Sequence, residues 1–127
     1  MNVQKTKWIE RNFNFDFPVG MFPVIFERLK GTPARIEEIV SNIIEKNLEI
    51  QLNNGWSIKE HIGHLIDLEE LHTGRIEDFN NGLKTLSPAD MTNKKTYEAN
   101  HNNRSSEKLI SDFRNVREHF CNTPQER

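Results

Sequence analysis

Apolar residues recur at helical spacing along most of this chain, and this periodicity is the strongest constraint on its fold. Near the start, four of them fall at positions i, i+3, i+4 and i+7: Phe22, Ile25, Phe26 and Leu29. That spacing places the side chains on one face of an α-helix. Gly31 interrupts the pattern, and Thr32 followed by Pro33 is typical of an N-cap and a first helical residue. We therefore expect one helix to end near Gly31 and a second to begin at Thr32.

The second predicted helix has an apolar face of its own. Its members are Ile36, Ile39, Val40, Ile43 and Ile44. The side chains are rich in β-branched residues, but their spacing follows a period of about 3.6 rather than 2, which favours a helix over a strand. The pattern fades over residues 47–55, whose sequence "NLEIQLNNG" is typical of a loop.

A third helix is predicted directly after Trp56. Ser57 and Glu60 have the spacing of a capping box, in which each residue bonds the backbone N–H of the other. Gly82 is suited to the C-cap, because glycine readily adopts the left-handed conformation that ends many helices. The apolar residues between these two signals include Ile62, Leu65, Leu68, Ile76 and Phe79.

The rest of the chain holds a polar connector and one more helix. Residues 83–104 lose the periodicity and are predicted to form a loop, and loops of such length in compact domains are often functional. The last helix is expected to begin at Ser105 or Ser106. Its stripe consists of Leu109, Phe113, Val116 and Phe120. The aromatic-rich segment at residues 8–22 is predicted to form a strap over the helices, so the sequence indicates an all-α antiparallel bundle and a single domain over residues 1–127.

Charge and cysteine content narrow the classes of function. The 127 residues include 17 basic and 19 acidic side chains and have a formal net charge of −2, which gives no field suited to nucleic acid or an anionic membrane. Cys121 is the only cysteine, so an intramolecular disulfide is impossible. No apolar run in the sequence has the length of a membrane span. We therefore expect a cytoplasmic protein that binds neither nucleic acid nor membrane.

Three of the five histidines lie on the third predicted helix. At about 100° per residue, His61 and His64 are separated by about 60°, and His72 lies about 20° from His61. They share a sector with Leu65 and Leu68, so at least one imidazole should lie near the interior of the bundle. A metal ion, a carboxylate or a backbone carbonyl would each satisfy such a group, and the spacing alone does not choose among them.

A metal site would also need donors from elsewhere in the chain. His61 and His64 lie at i, i+3, whereas zinc-binding histidine pairs on one helix commonly use i, i+4. The remaining candidate donors are His101, His119, Cys121, Asp67 and Glu69.

The stretch "GWSIKEHIGHLIDLEE" resembles the second bundle helix of the DinB-like, or damage-inducible, metal-binding family. In that family a Trp-Ser start leads into a "GHL-x-D-x-E" segment whose histidine binds the metal, and His64 occupies that position here. The resemblance extends to "GTPARIEEIV" as the first bundle helix, "RIEDF" as the end of the second, "NKKTYEANHN" as a connector and "LISDFRNVREHF" as the third helix. It thus covers most of the chain.

The resemblance implies a four-helix bundle of up-down-down-up topology that holds a divalent ion, usually zinc or nickel, with three histidines. One histidine belongs to the second helix, and the other two form an H-x-x-x-H pair on the fourth. The present sequence reaches Arg127 without that pair, so we expect either a piece of a longer family member or a shortened protein in which the site is lost or rebuilt. Three of four helices would leave an apolar groove, which predicts a homodimer formed through two stripes: Ile36/Ile39/Ile43 and Leu109/Phe113/Val116.

The implied activity is that of a metal-dependent hydrolase or of an enzyme that transfers a low-molecular-weight thiol such as bacillithiol. The substrate would be a small molecule or a thiol, and His64 would be the one metal ligand retained in this chain. The competing hypothesis is a non-catalytic helical module that has lost the metal site and serves for binding or dimerisation.

For the other polar residues near His64 we expect supporting roles or none. Asp67 is expected to orient an imidazole or to act as an acid or base, and His61 to line the pocket. Glu69 is the alternative to Asp67 for that role, although a solvated helix face is the favoured interpretation for it. His72 is expected at the rim of the site or packed against the bundle. His101 is assigned no role, because a histidine in a polar loop is more often exposed than functional.

Overall fold

The chain folds into helices, as its periodicity predicts. The computed structural model describes residue 7 and residues 10–124. Within these residues the secondary structure comprises helices and no strands, so the all-α prediction is confirmed. The α-helices are α1 (Phe22–Val40), α2 (Ile58–Asn80), α3 (Lys94–Ala99) and α4 (Ser106–Asn122), and short 3-10 turns lie at Val19–Met21, Glu45–Glu49 and His101–Asn103. None of these helices combines the length and apolar character needed to cross a membrane.

The aromatic-rich segment before α1 does not bury its rings. Phe13, Phe15 and Phe17 are each at least half exposed, so the described part of the expected strap contributes little to the core. Trp8 and Ile9, which belong to the same prediction, lie outside the described residues.

Helix α1 is continuous, and the predicted break at Gly31 is wrong. Pro33 lies inside the helix rather than at its start. A proline in a helix lacks the N–H that would bond the carbonyl four residues earlier, which here belongs to Leu29. Arg117 of α4 instead donates a hydrogen bond from Nη1 to the Leu29 carbonyl at 2.8 Å. A contact with another helix therefore compensates for the missing bond.

Both predicted ends of α2 are confirmed. The Ser57 hydroxyl accepts a hydrogen bond from the Glu60 N–H at 3.1 Å, and the Glu60 carboxylate accepts one from the Ser57 N–H at 3.0 Å. At the other end Gly82 has a φ of 70°, and its N–H donates to the Phe79 carbonyl at 3.0 Å. The residues that mark the start and the end of α2 thus act through hydrogen bonds to the nearby backbone.

The polar connector contains more structure than predicted. Residues 94–99 form α3, between Asn93 and Asn100, whose φ values of 55° and 56° are left-handed. Asp90 supports its start by accepting hydrogen bonds from the Thr92 N–H at 2.9 Å and the Lys94 N–H at 3.2 Å. A polar helix of six residues is too short to produce a recognisable hydrophobic period, which is why the loop prediction was wrong here.

The main helices follow an up-down-down order. The Ser106 N–H at the start of α4 donates to Glu45 Oε1 at 2.8 Å, just beyond the end of α1, so these two helices are antiparallel. Asn80 Nδ2 at the end of α2 donates to the Pro124 carbonyl at 3.0 Å, just beyond the end of α4, so α2 and α4 run in the same direction. The antiparallel prediction therefore holds for α1 against the other two helices, whereas α2 and α4 require a crossover connector.

The core forms where α4 packs between α1 and α2. Its buried cluster consists of Val40, Leu48, Ile62, Leu109 and Ile110, with Ile36, Ile43 and Ile66 packed around it. Leu109 and Phe113 are fully buried, and Ile39 is exposed. Most residues of the two stripes are thus covered or partly covered within the bundle, and Ile39 is the member that remains exposed.

A buried ion pair joins the three long helices. Arg117 donates from Nε to Glu69 Oε2 at 3.0 Å and from Nη2 to Oε1 at 2.8 Å, and the two residues are only 6% and 2% exposed. Its guanidinium also lies 4.9 Å from the centre of the Phe113 ring. The expectation that Glu69 faces solvent is wrong, because the helix face that carries it packs on α4, where a cation meets it.

The surroundings of Glu69 keep its carboxylate charged. Burial alone would raise the pKa of this group, but the hydrogen bonds from His72 and Arg117 outweigh burial and hold the pKa below its usual range. The pair is therefore ionised in the folded protein at neutral pH.

Replacing Arg117 with leucine should strongly destabilise the fold. The change leaves the Glu69 carboxylate and the Leu29 carbonyl without their partner, and removing one member of a buried ion pair costs about 3–5 kcal/mol. Arg114→Leu is the matched control, since Arg114 lies one turn earlier on α4 and pairs with Glu37 where both side chains are about half exposed. An exposed pair contributes at most about 1 kcal/mol. Urea unfolding measures both free energies, and equal losses in the two variants would contradict the role assigned to Arg117.

Candidate functional site

A cavity of about 340 Å³ lies between α2 and the connector. One wall comes from α2 and the other from residues that surround and include α3. Its lining includes His64, Leu68, Leu71, Pro88, Lys95 and Thr96. The lining therefore combines apolar side chains with polar groups from both walls, among them Asp67 and Glu70 of α2, a mixture found in small-molecule sites.

His64 lies in the wall of this cavity and is anchored at one nitrogen. Its Nδ1 lies 3.0 Å from Thr96 Oγ1, and Thr96 is buried with 3% exposure. The Thr96 hydroxyl in turn donates to Asp67 Oδ2 at 2.9 Å. The Trp56 ring packs against the imidazole with its centre 4.8 Å away. The ring of His64 is thus held by two contacts, one with Thr96 and one with Trp56.

His101 supports the same carboxylate from the connector. Its side chain is buried, with 3% exposure, and its Nε2 lies 2.9 Å from Asp67 Oδ2. Arg104 Nη1 lies 3.5 Å from the other ring nitrogen, and Arg104 forms an ion pair with Asp112 of α4. The assumption that a loop histidine is exposed is wrong here, because the connector folds back onto α2.

Gly63 makes this close approach possible. The His101 ring lies against the backbone of α2 at Gly63, and a Cβ atom at that position would overlap the ring. The glycine of the "GHL" sequence therefore has a packing role that its helix alone does not require.

The connector is also fastened at the start of α2. The Ser57 hydroxyl donates to Asn102 Oδ1 at 2.5 Å, and Asn102 Nδ2 donates to Glu60 Oε1 at 3.2 Å. The capping box of α2 thus serves as a docking point for the connector as well as a helix start.

Burial governs the charge state of His64. Removal from water lowers the pKa of the imidazole from its ordinary value of 6.5, and this effect outweighs the opposing attraction of Asp67. Repulsion from His61 and His101 lowers the pKa further. His64 is therefore neutral at pH 7, and one of its ring nitrogens carries an available lone pair.

The other predicted histidines lie away from the cavity. His61 is exposed, with its ring 5.4 Å from that of Trp56, and it does not line this cavity. His72 lies two turns beyond His64, where its Nδ1 is 3.2 Å from Glu69 Oε1 and its ring is 5.9 Å from that of Phe120. His119 is exposed on α4.

Sequence reasoning identified part of this site. It singled out His64 and Asp67 on α2, and these two side chains are brought together through Thr96 rather than by direct contact. Thr96 itself was missed, because a single threonine in a polar stretch carries no spacing signal. The buried role of His101 was missed for the same reason.

The positions of the possible metal donors do not form a cluster in the described residues. In the part of the chain that the structure describes, no group of three or more His, Cys, Asp or Glu side chains is placed to hold a metal ion. The Oδ2 atom of Asp67 already accepts hydrogen bonds from Thr96 and His101. Near the cavity, the described residues therefore offer His64 as a single imidazole donor and not the three-histidine set that the resemblance implies.

Comparisons with known proteins do not extend this description. No family model matches the sequence, and neither a curated protein nor a solved structure matches it significantly.

The packing of His101 on Gly63 predicts opposite effects for two glycine substitutions in α2. Gly63→Ala should destabilise the fold by about 1–3 kcal/mol, because the added methyl group collides with the His101 ring. Gly74→Ala is the control, since no atom lies within 4 Å of its Cβ position. Alanine should there stabilise the helix by about 0.5–1 kcal/mol. Thermal and urea unfolding measure both effects, and stabilisation by Gly63→Ala would refute the close approach.

Proposed function

We propose that this chain is a DinB-like domain that acts as a metal-dependent hydrolase or thiol S-transferase, with His64 as its ligand for a divalent ion. The up-down-down order of α1, α2 and α4 supports the proposal, because the resemblance implies that order for the first three helices. The capped start of α2, followed by Gly63, His64 and Asp67, supports it as well.

One observation carries the proposal most directly. His64 lies in the wall of the cavity while its Nδ1 contacts a buried hydroxyl, which leaves Nε2 as the nitrogen available to a ligand. Histidines that bind metals characteristically have their second ring nitrogen bonded to a carboxylate, carbonyl or water, and this bond orients the ring. Here Thr96 links the imidazole to Asp67. The arrangement thus has the support that a metal-binding imidazole needs.

The reaction class follows from what such an ion supplies when bound. Zinc or nickel lowers the pKa of a bound water or thiol and so provides hydroxide or thiolate at neutral pH. Because the described residues contribute a single imidazole, we assign no catalytic step through the ion. This chain's own contribution is a neutral, oriented imidazole beside the apolar side chains of Leu68 and Leu71.

The substrate and the compartment follow the same reasoning. A cavity of about 340 Å³ suits a small molecule or a low-molecular-weight thiol. The single cysteine, which is free in the structure, supports a reducing cytoplasmic location.

Metal binding should depend on His64 and not on His61. Purified protein is expected to take up zinc or nickel, with His64→Gln weakening the affinity by at least about tenfold because the ligand nitrogen is lost. His61→Gln is the matched control, since it removes an exposed imidazole one turn earlier on the same helix. Isothermal titration measures the affinities, with circular dichroism to verify folding. Failure of the unmodified protein to bind either ion, or equal binding by both variants, would refute the proposal.

A second candidate function, a dimerisation module, is favoured by an apolar groove at the other end of the bundle. Two neighbouring cavities of about 280 and 370 Å³ share Ile76 and Phe120 and lie where α1 begins and α2 and α4 end. Phe22 and Phe79 line them and are about half exposed. A connected apolar surface of this kind commonly marks a protein interface. We propose that a second copy of the chain covers it.

If the dimer forms through this groove, a charged residue placed in the groove should disrupt it, and the same charge placed elsewhere should not. Phe79 is 49% exposed. Phe79→Glu should convert the dimer to a monomer, because a carboxylate would be buried in an apolar interface. Ile44→Glu places the same charge on a more exposed residue, 72% accessible, beyond the opposite end of α1 and should leave the dimer intact. Light scattering over a range of concentrations measures the mass. A monomeric unmodified protein at high concentration would exclude this function.

A further inference from the structure

We propose that Thr96 is a positioning residue that holds His64 in the tautomer with the proton on Nδ1 and the lone pair on Nε2. The inference rests on the proposed function, because it concerns the nitrogen through which His64 would bind its ligand. It also assigns a positioning role to Asp67, which the sequence suggested as an acid or base.

The direction of each hydrogen bond follows from the chemistry of the groups. A carboxylate only accepts hydrogen bonds, so across the 2.9 Å contact the Thr96 hydroxyl must donate to Asp67 Oδ2. The hydroxyl has one proton, and its oxygen can then only accept from His64 Nδ1, 3.0 Å away. A neutral imidazole that donates from Nδ1 carries its lone pair on Nε2. The chain His64–Thr96–Asp67 thus fixes the tautomer without direct contact between imidazole and carboxylate.

His101 keeps Asp67 in this acceptor role. Its Nε2 approaches the same Oδ2 atom at 2.9 Å, so it too must donate to the carboxylate. Its Nδ1 is then an acceptor, which agrees with the neighbouring Arg104 Nη1 at 3.5 Å, a group that can only donate. Two donors therefore converge on one carboxylate oxygen, and this convergence orients Asp67 towards Thr96.

Burial of Thr96 strengthens its preference for one tautomer of His64. Thr96 is 3% exposed, so water does not compete effectively for its hydroxyl. Its β-branched side chain has few accessible rotamers, which limits the positions that the hydroxyl oxygen can take. Lys95, the preceding residue, forms an exposed ion pair with Glu70 of α2 at 2.7 Å. The hydroxyl of Thr96 is thus restricted mainly by its own burial and rotamer preference.

The tautomer can be measured without any assay of activity. Nitrogen-15 NMR of labelled histidine at about pH 8, above the ordinary histidine range, distinguishes a protonated Nδ1 from a protonated Nε2. We expect His64 of the unmodified protein to be protonated on Nδ1. Thr96→Val keeps the shape but removes the hydroxyl, and His64 should then shift towards the Nε2-protonated form that free histidine prefers in water. Thr96→Ser should restore the Nδ1-protonated form.

Thr92→Val is the control for the substitution itself. Thr92 lies in the same connector and bonds to Asp90 rather than to α2, so its replacement should leave the tautomer of His64 unchanged. An Nε2-protonated His64 in the unmodified protein would overturn the proposal even if Thr96→Val failed to fold. An unchanged Nδ1-protonated form in a folded Thr96→Val would overturn it as well.

The ion affinity of the same variants separates this inference from the proposed function. If zinc binds, Thr96→Val should weaken binding about 10- to 100-fold, and Thr96→Ser should bind nearly as well as the unmodified protein. If zinc and nickel do not bind but the tautomer shifts as expected, the role of Thr96 stands and the metal-dependent function fails. If zinc binds and the tautomer does not respond to Thr96→Val, the role of Thr96 fails alone.

Discussion

The contacts of Arg117 are the constraint on which the arrangement of the long helices depends. This one guanidinium binds the buried Glu69 carboxylate of α2 and the partly buried Leu29 carbonyl of α1. Pro33 leaves that carbonyl without its helical partner, and without Arg117 the buried Glu69 carboxylate would keep only its contact with His72. Each of the three helices thus contributes a polar group to one connected set of hydrogen bonds.

The candidate site follows from that packing. Because α2 and α4 run in the same direction, the chain between them must cross the length of the bundle, and it folds back onto α2 on the way. Thr96 and His101 of the connector form hydrogen bonds with Asp67. Gly63 leaves room for the connector to approach the backbone of α2. The same contacts close one side of the cavity and orient His64. The polar connector is therefore part of the site and not a simple link between helices.

The predictions that succeeded rest on bonds between residues close in sequence. Ser57 with Glu60 began α2 where expected, and Gly82 followed its end. Ser105 caps α4 by accepting a hydrogen bond from the Lys108 N–H at 3.1 Å, as the sequence suggested. His64 and Asp67 were found because they lie on one strongly patterned helix. In each case the partners are within a few residues of one another, so the pattern carries the information.

By itself the sequence determined that the chain is helical, where α2 begins and ends, where α4 begins, and which helix carries the candidate histidine. The tertiary structure alone decided that α1 continues through Pro33, that Glu69 is buried, and that Thr96 and His101 join Asp67. The physical reason is the distance along the chain between the partners. Arg117 supplies the hydrogen bond that the Leu29 carbonyl lacks and the charge that Glu69 needs. Thr96 likewise reaches Asp67 from 29 residues away, and the other two partners are further apart still. The local spacing of apolar residues cannot identify a partner that lies so far along the chain.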